Sequence, residues 1–215
     1  RRPPRSTLSS SSAASDVYKR QAFGVFEFIR GQDALRFKQV RCRWVDRLKK
    51  SVCRSRFVAM EFANSIRDDL YAGTPLLGVV RLLFSEAATH SKGRAPTKLL
   101  SAADISCAFM HAKYDGDLVL TLPPGMAPPG AKAKLVGAIN GTRKASQLWQ
   151  RFVESRMKEG GFVPTEGCPQ LYLHPHRHIW SVVHGDDFLS TARRAQLIWF
   201  RGKMELQRSV QTIFW

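Results

Sequence analysis

The segment Trp180-Ser181-Val182-Val183-His184-Gly185-Asp186-Asp187-Phe188-Leu189 limits the fold more than any other stretch of the chain. Apolar runs on both sides of Gly-Asp read as two strands joined by a tight turn, because Gly and Asp are residues that hairpin turns favour. The turn holds two adjacent carboxylates between hydrophobic strands. Such charges are costly beside apolar surface unless something neutralises them, and a hard divalent cation such as Mg²⁺ suits oxygen ligands. An exposed acidic turn with no ligand fits the same dipeptide.

A further acid bears on that choice. Asp104 stands at the end of the apolar run Leu99-Leu100-Ser101-Ala102-Ala103, before Ile105-Ser106-Cys107-Ala108-Phe109. Taken alone it is a helix N-cap after a strand. Taken with Asp186 and Asp187 it is the third carboxylate of a trio that could hold two metal ions about 3.5–4 Å apart, the spacing used for in-line attack on a phosphate.

Periodicity supplies the other elements. Trp44–Leu48 and Arg56–Met60 alternate as half-buried strands do, with Lys49-Lys50-Ser51 as the turn. Thr74-Pro75 signals a helix start, with Thr at the N-cap and Pro at the first helical position. Leu76, Val79, Val80, Leu83, Phe84 and Ala87 follow at three-to-four spacing. Lys92–Lys98 reads as a basic loop, Leu118–Leu122 as a strand stopped by Pro123-Pro124-Gly125, and Met126–Lys134 as a Pro/Gly/Lys loop. A second helix is expected over about 147–159, with Gly160-Gly161 ending it. Gln170–Leu173 and Ile179–Val183 form a hairpin around His174-Pro175-His176, and a last helix is expected over about 192–207. Strands and helices in mixed order predict an α+β domain.

The charge is one-sided: 34 Lys+Arg against 17 Asp+Glu, a formal net charge of +17 over 215 residues. Residues 1–21 open RRPPR, run through a Ser-rich block and lack an apolar core, which excludes a secretory signal and reads as a disordered or non-native leader, with an Arg/Ser-rich transit peptide as the other reading. Without that leader's five basic and one acidic residues, 29 basic and 16 acidic remain, so the positive charge belongs to the domain expected over 22–215. Such a surface answers to a polyanion. No run of about 18 apolar residues exists, so no transmembrane helix and no membrane partner are expected. Four scattered cysteines (Cys42, Cys53, Cys107, Cys168), with no C-x-x-C pair, exclude a disulfide scaffold and fit an intracellular, reducing location, cytoplasmic or nuclear.

From about Trp44 to Gln207 the chain resembles the reverse transcriptase of copia-type LTR retrotransposons in six blocks that follow the family's order. Arg54-Ser55-Arg56-Phe57-Val58-Ala59 resembles K-A-R-L-V-A. Gly73-Thr74-Pro75 through Leu83 resembles F-A-P-V-V-R-x-x-x-I-R-x-L-L. Ala103–Ala112 is similar to L-D-V-K-S-A-F-L-H-G, and Leu118–Gly125 to V-Y-M-E-Q-P-P-G. Asn140–Ser146 with Trp149 resembles Y-G-L-K-Q-A-P-R-A-W, and Val183–Asp187 resembles L-Y-V-D-D.

The resemblance implies a right-hand polymerase of fingers and palm. Its antiparallel palm sheet would be backed by helices near 75–89 and 147–159, with no thumb, RNase H or integrase segment of the polyprotein among the matched blocks. Asp104 and Asp186 would be catalytic, metal-holding carboxylates with Asp187 as the supporting third, serving two Mg²⁺ (or Mn²⁺) ions. Arg54, Arg56, Ile105, Phe109, Asn140 and Gly141 would surround the nucleotide. Within that set Arg54 and Arg56 face the triphosphate, Phe109 packs under the sugar and excludes a 2′-hydroxyl, and Asn140-Gly141 borders the template base. Each has a plainer reading too: exposed strand charges, a core Phe, an Asn-Gly turn. The partners implied are an RNA or DNA template-primer and dNTPs, and the activity is RNA-directed DNA polymerisation. A non-catalytic basic nucleic-acid-binding remnant of the same domain is the alternative.

The sequence departs from the family at four places. His184-Gly185 replaces Tyr-Val, Ser146 replaces Pro, Asn140 replaces an aromatic, and Lys92–Lys98 lengthens the approach to the first catalytic strand. A rival metal set, His174-x-His176-x-His178 with Cys168, is interrupted by Pro175 and Arg177 and reads as a histidine-rich surface turn.

Overall fold

The computed structural model describes residues 23–49, 52–62, 73–89, 98–123, 126–204 and 210–214. The chain forms two compact units, one within residues 1–71 and 109–149, the other within 72–108 and 150–215. The leader expected over 1–21, most of the basic loop 92–98, and the turn residues 50 and 51 lie outside the described residues.

The first unit is a five-stranded sheet of β1 (Phe26–Arg30), β2 (Lys38–Lys49), β3 (Val52–Ala59), β5 (Leu118–Thr121) and β6 (Ala131–Leu135), in the order β1-β6-β5-β2-β3. β2 and β5 pair in parallel, and every other pair is antiparallel. β5 reads as a continuous apolar run because it lies inside the sheet: Leu118, Val119 and Leu120 are all buried. β6 corrects the expected 126–134 loop. Its Ala-Lys-Ala-Lys-Leu alternation buries Ala133 and Leu135, while Lys134 lies over the Phe37 ring and Lys132 donates to Thr121 Oγ1. Two lysines disguised a strand whose other residues point inward.

β2 and β3 form the expected hairpin, in register from Cys42↔Ala59 to Lys49↔Val52. Alternation puts Cys42, Trp44 and Asp46 with Ser55, Phe57 and Ala59 on the inner face, where Trp44 and Phe57 meet edge to face at 5.4 Å.

The second unit is an antiparallel six-stranded sheet, ordered β11-β4-β10-β9-β8-β7. Its strands are β4 (Leu99–Ile105), β7 (Val163–Thr165), β8 (Cys168–His174), β9 (Ile179–His184), β10 (Asp187–Ala192) and β11 (Val210–Phe214). Helix α1 (Leu77–Ala88) packs on one face: Leu83, Val79 and Val80 meet Leu100, Val182 and Leu189. Helix α3 (Arg194–Met204) lies against the other, with Leu197 and Phe200 near Ser101, Phe188 and Ser190. Helix α2 (Ala145–Glu159) carries the chain from the first unit into the second, and Gly161, at φ +84°, follows its end.

Two boundaries differ from expectation. α1 begins at Leu77, with Leu76 in the N-cap position and no side-chain cap, so Thr74-Pro75 precedes the helix. Gly73 N–H donates to Gln150 Oε1 at 3.0 Å and anchors that approach elsewhere, while the Leu76 carbonyl accepts from both Val79 and Val80. The last helix begins at Arg194, later than the expected 192, because Ala192 still belongs to β10; the rest of the expected span after Met204 lies outside the described residues, and the chain returns as β11 beside β4.

Candidate active site

The β9–β10 connection has two residues, Gly185 and Asp186, between the paired His184 and Asp187. Gly185 has φ +61° and Asp186 does not share that sign, which is the II′ arrangement whose twist suits a right-twisted hairpin. The turn sets Asp187 as the first residue of β10, directly opposite Asp104 on β4. One rung therefore crosses four strands: His184, Asp187, Asp104 and Gln211 of β11. Directly opposed antiparallel residues have Cα atoms about 4.5–5.5 Å apart and point to the same face. Asp186 joins them through the backbone, its carbonyl accepting the Ile105 N–H at 3.0 Å. The sequence-predicted carboxylates are thus brought together at one end of the sheet.

Their proximity is electrostatic as well as topological. Burial raises the Asp104 carboxyl above its ordinary range, and the charges of Asp186 and Asp187 raise it further. Beneath the rung, Ala102, Val182 and Leu189 floor a cleft of about 280 Å³ with Val80 of α1 at its side and Asp104, Asp187 and His184 at its rim. On the opposite face of the same strands, Ser181 and Ser190 share a buried hydrogen bond at 2.9 Å, fixing β9 against β10 three residues from the turn.

Among the described residues, no three His, Cys, Asp or Glu side chains are gathered tightly enough to hold a metal ion by themselves. The aspartates instead repel one another across an open rim. This donor set fits a Mg²⁺ shared with a substrate, since that ion usually takes one or two carboxylates and leaves its other positions to water and phosphate. The rival set fails on geometry. Cys168 and His174 stand at opposite ends of β8, His174 is buried beside Phe162 and Trp199, and His176 and His178 lie in the exposed turn.

The other predicted residues divide between the units. Ile105, beside Asp104, is 2% exposed and its N–H is taken by Asp186, so it braces the hairpin rather than offering a surface. Arg54, Arg56, Phe109, Asn140 and Gly141 belong to the first unit. Arg54 and Arg56 project from the outer face of β3 and are exposed; Phe109 is half-buried in the short 3-10 turn Ala108–His111. Asn140 and Gly141 are pinned to the end of β3. Ala59 N–H donates to the Asn140 carbonyl at 2.9 Å and Glu61 N–H to the Gly141 carbonyl at 3.2 Å. Gly141 sits at φ +86°, and a Cβ there would lie 2.0 Å from the Ala59 carbonyl oxygen. Close approach of its own chain explains this glycine without a ligand.

Sequence reading missed Glu61. Its side chain, 8% exposed, accepts from Lys38 Nζ at 2.6 Å and from the Arg143 N–H at 2.9 Å, tying β2, the end of β3 and the 140–143 loop together. Burial alone would raise this carboxyl; the Lys38 ammonium and the Arg143 N–H outweigh it and hold the group below the usual range. Tyr114 is pushed up to about 12 by burial and by the Glu61 and Asp115 charges. No local motif marks Glu61; a lone acid after a basic strand was the available signal.

No protein-family model matches the chain. A transposon Ty5-1 protein of Saccharomyces cerevisiae is 29% identical over 110 residues, covering 49% of this chain and 35% of that protein. The match thus spans about a third of the relative's length, and the likeness supports a retrotransposon-derived sequence.

Proposed function

We propose that the chain is a fragment of a copia-type reverse transcriptase, an RNA-directed DNA polymerase that extends a primer by two-metal nucleotidyl transfer. The observation that carries this reading is the rung that opposes Asp187 to Asp104 with Asp186 bonded alongside. The order of the six sequence blocks and the likeness to a transposon protein support it.

Asp104, Asp186 and Asp187 would hold Mg²⁺, which when bound supplies positive charge beside the reacting phosphate and lowers the pKa of a coordinated hydroxyl. The residues of the chain do the rest by position. Three carboxylates that repel one another in the free protein form a pre-set negative locus whose strain a cation relieves, so little reorganisation is needed when substrate arrives. The apolar floor of Ala102, Val182 and Leu189 keeps that locus on a rigid sheet. His184 stands where the family has tyrosine and presents an imidazole next to Asp187. In this reading Arg54 and Arg56 offer guanidinium forks to the triphosphate, Phe109 packs under the sugar, and Asn140-Gly141 borders the template base.

Primer extension on poly(rA)/oligo(dT) with Mg²⁺ or Mn²⁺ tests it, comparing the wild type with Asp186→Asn. Incorporation by the wild type alone is expected. Equal incorporation by both refutes the assignment, and Mg²⁺-independent dNTP binding points to the non-catalytic nucleic-acid-binding reading.

A further inference from the structure

The turn between β8 and β9 closes onto α3 around a buried histidine. His174, the last residue of β8, is 7% exposed and stands opposite Ile179 of β9. Its ring meets Phe162 edge to face at 5.1 Å and Trp199 of α3 at 5.3 Å. A Cβ on Gly161 would lie 3.2 Å from its Nε2, so the chain leaving α2 closes that side. Nδ1 is buried with no hydrogen-bond partner. Further along the turn, the Arg177 guanidinium lies 3.9 Å over the Trp199 ring and donates to Gln196 Oε1 at 2.9 Å. One indole of α3 thus receives both His174 and Arg177.

From this we infer that the β8–β9 turn is an acid-operated latch: a neutral His174 keeps it docked on α3, and an imidazolium at that position releases it. The surroundings offer a positive charge no partner. α3 contributes Gln196 and Trp199, β9 contributes Ile179, and the segment after α2 contributes Gly161 and Phe162, all uncharged. Within the turn the titratable and charged neighbours are His176, Arg177 and His178, each a cation or a potential one. The cavity lined by Phe162 and Phe200 adds Arg156, Glu159 and Lys203, and its acid, Glu159, is already bonded to Arg156 at 2.8 Å. A proton on His174 therefore places a donor without an acceptor, and a charge near Arg177, in an apolar site, which is costly. Burial lowers the His174 pKa below its ordinary 6.5, and the charges of Arg177 and His176 lower it further. The folded pKa lies below that of the released histidine, so docking is fully favoured above about 6.5 and weakens as pH falls below it. Histidine is the side chain whose ordinary pKa places such a change near neutrality. Leu197 and Phe200 of the same helix lie near Ser101, Phe188 and Ser190, so release at Trp199 bears on the packing behind β4 and β10. The inference does not need the polymerase reading.

Amide hydrogen exchange of the full chain at about pH 7.5 and about pH 5.5, corrected for the intrinsic pH dependence of exchange, tests it. About one unit below the ordinary histidine value favours the released form by up to about tenfold, so the amides of the turn and of the Trp199 region should lose protection by about that factor. The Ala59 and Glu61 amides of the first unit should keep theirs over the same range. His174→Phe keeps an aromatic ring against Phe162 and Trp199 and cannot titrate, so its protection should be the same at both pH values. His176→Gln should still show the drop, which assigns the effect to the buried ring. If His174→Phe does not fold, NMR titration of the wild type decides: the His174 ring should titrate below 6.5, with the Trp199 indole signal moving at the same midpoint. Unchanged protection in the wild type, an equal drop in His174→Phe, loss of the drop in His176→Gln, or a His174 midpoint at or above 6.5 overturns the inference.

Discussion

The β2–β3 and β9–β10 hairpins are both antiparallel ribbons in regular register, and each gathers like charges where a neutral pair would cost less. β2–β3 spreads arginines along a long exposed face; β9–β10 concentrates aspartates at one tight turn over a short apolar floor. Spread charge is cheap to keep, because exposed guanidiniums remain hydrated and are screened by salt. Concentrated carboxylates beside apolar surface are dearer, and the raised Asp104 carboxyl records that. The difference separates two kinds of ligand. A line of fixed charges suits a long polyanion bound by many small contributions, while a point of mutual repulsion suits a compact cation that replaces water in one place.

The largest effect expected on this contrast is at the point charge. Asp104→Asn should reduce primer extension at least about a hundredfold, the size seen when one pre-set electrostatic group is removed from a catalytic centre. It should also raise the melting temperature of the metal-free protein at pH 7. The Asp104 carboxyl is raised in the folded state, so its ionisation weakens the fold above that pKa, and stability returns as pH falls through it. A variant that melts lower than the wild type in chelator at pH 7 would break the repulsion argument.

Gly141→Ala should be next, and in the other unit. The positive φ alone costs about 1–3 kcal/mol for a residue with a side chain, before the contact with the Ala59 carbonyl is counted. Urea titration followed by amide exchange should show the Ala59 and Glu61 amides losing protection while the Ser181–Ser190 region keeps it.

Glu61→Gln should cost about 1 kcal/mol, since it removes the charge that meets the solvent-exposed Lys38 ammonium and weakens the bond to the Arg143 N–H. The sign with pH is opposite to that of Asp104. A carboxyl held low contributes stability above the ordinary value of 4.5, lost as pH falls through its folded pKa. The variant should therefore show a flatter acid limb than the wild type in thermal unfolding between pH 6 and 3.

Gly185→Ala should be the smallest, about 1 kcal/mol, because φ is positive but nothing lies within 4 Å of the added Cβ. A loss as large as that of Gly141→Ala would mean that the two-residue turn is tighter than its open surroundings indicate.

The β9–β10 hairpin was legible because turn residues and apolar runs are local signals: Gly185-Asp186 between Val182-Val183 and Phe188-Leu189 needs no distant information. The β2–β3 hairpin and the strand carrying Asp104 were legible for the same reason. β6 and β11 were not. Ala131–Leu135 has the composition of a loop and becomes a strand by pairing with β1 and β5, and Val210–Phe214 becomes one by pairing with β4. Long-range pairing also made the rung visible, since nothing in the sequence says that residue 187 faces residue 104. Glu61 was hidden because its partners lie 23 and 82 positions away.

The rung has one more consequence, for how such a sequence can change over time. Side chains of a strand alternate between its two faces, so Asp104 shares a face with Asp187 only while the count along β4 stays even or odd as it is now. One residue inserted between Leu99 and Asp104, with the pairing below it kept, turns the carboxylate to the α3 side; two inserted residues restore the face but shift it about 6.8 Å along the strand. Gene copies that drift by whole codons inside β4 thus lose the trio at the first step, whatever their overall similarity. Copies that drift by substitution alone at Ala102 or Leu100 keep it, so the spacing of the two acidic strands tells whether the trio is retained more directly than percentage identity does.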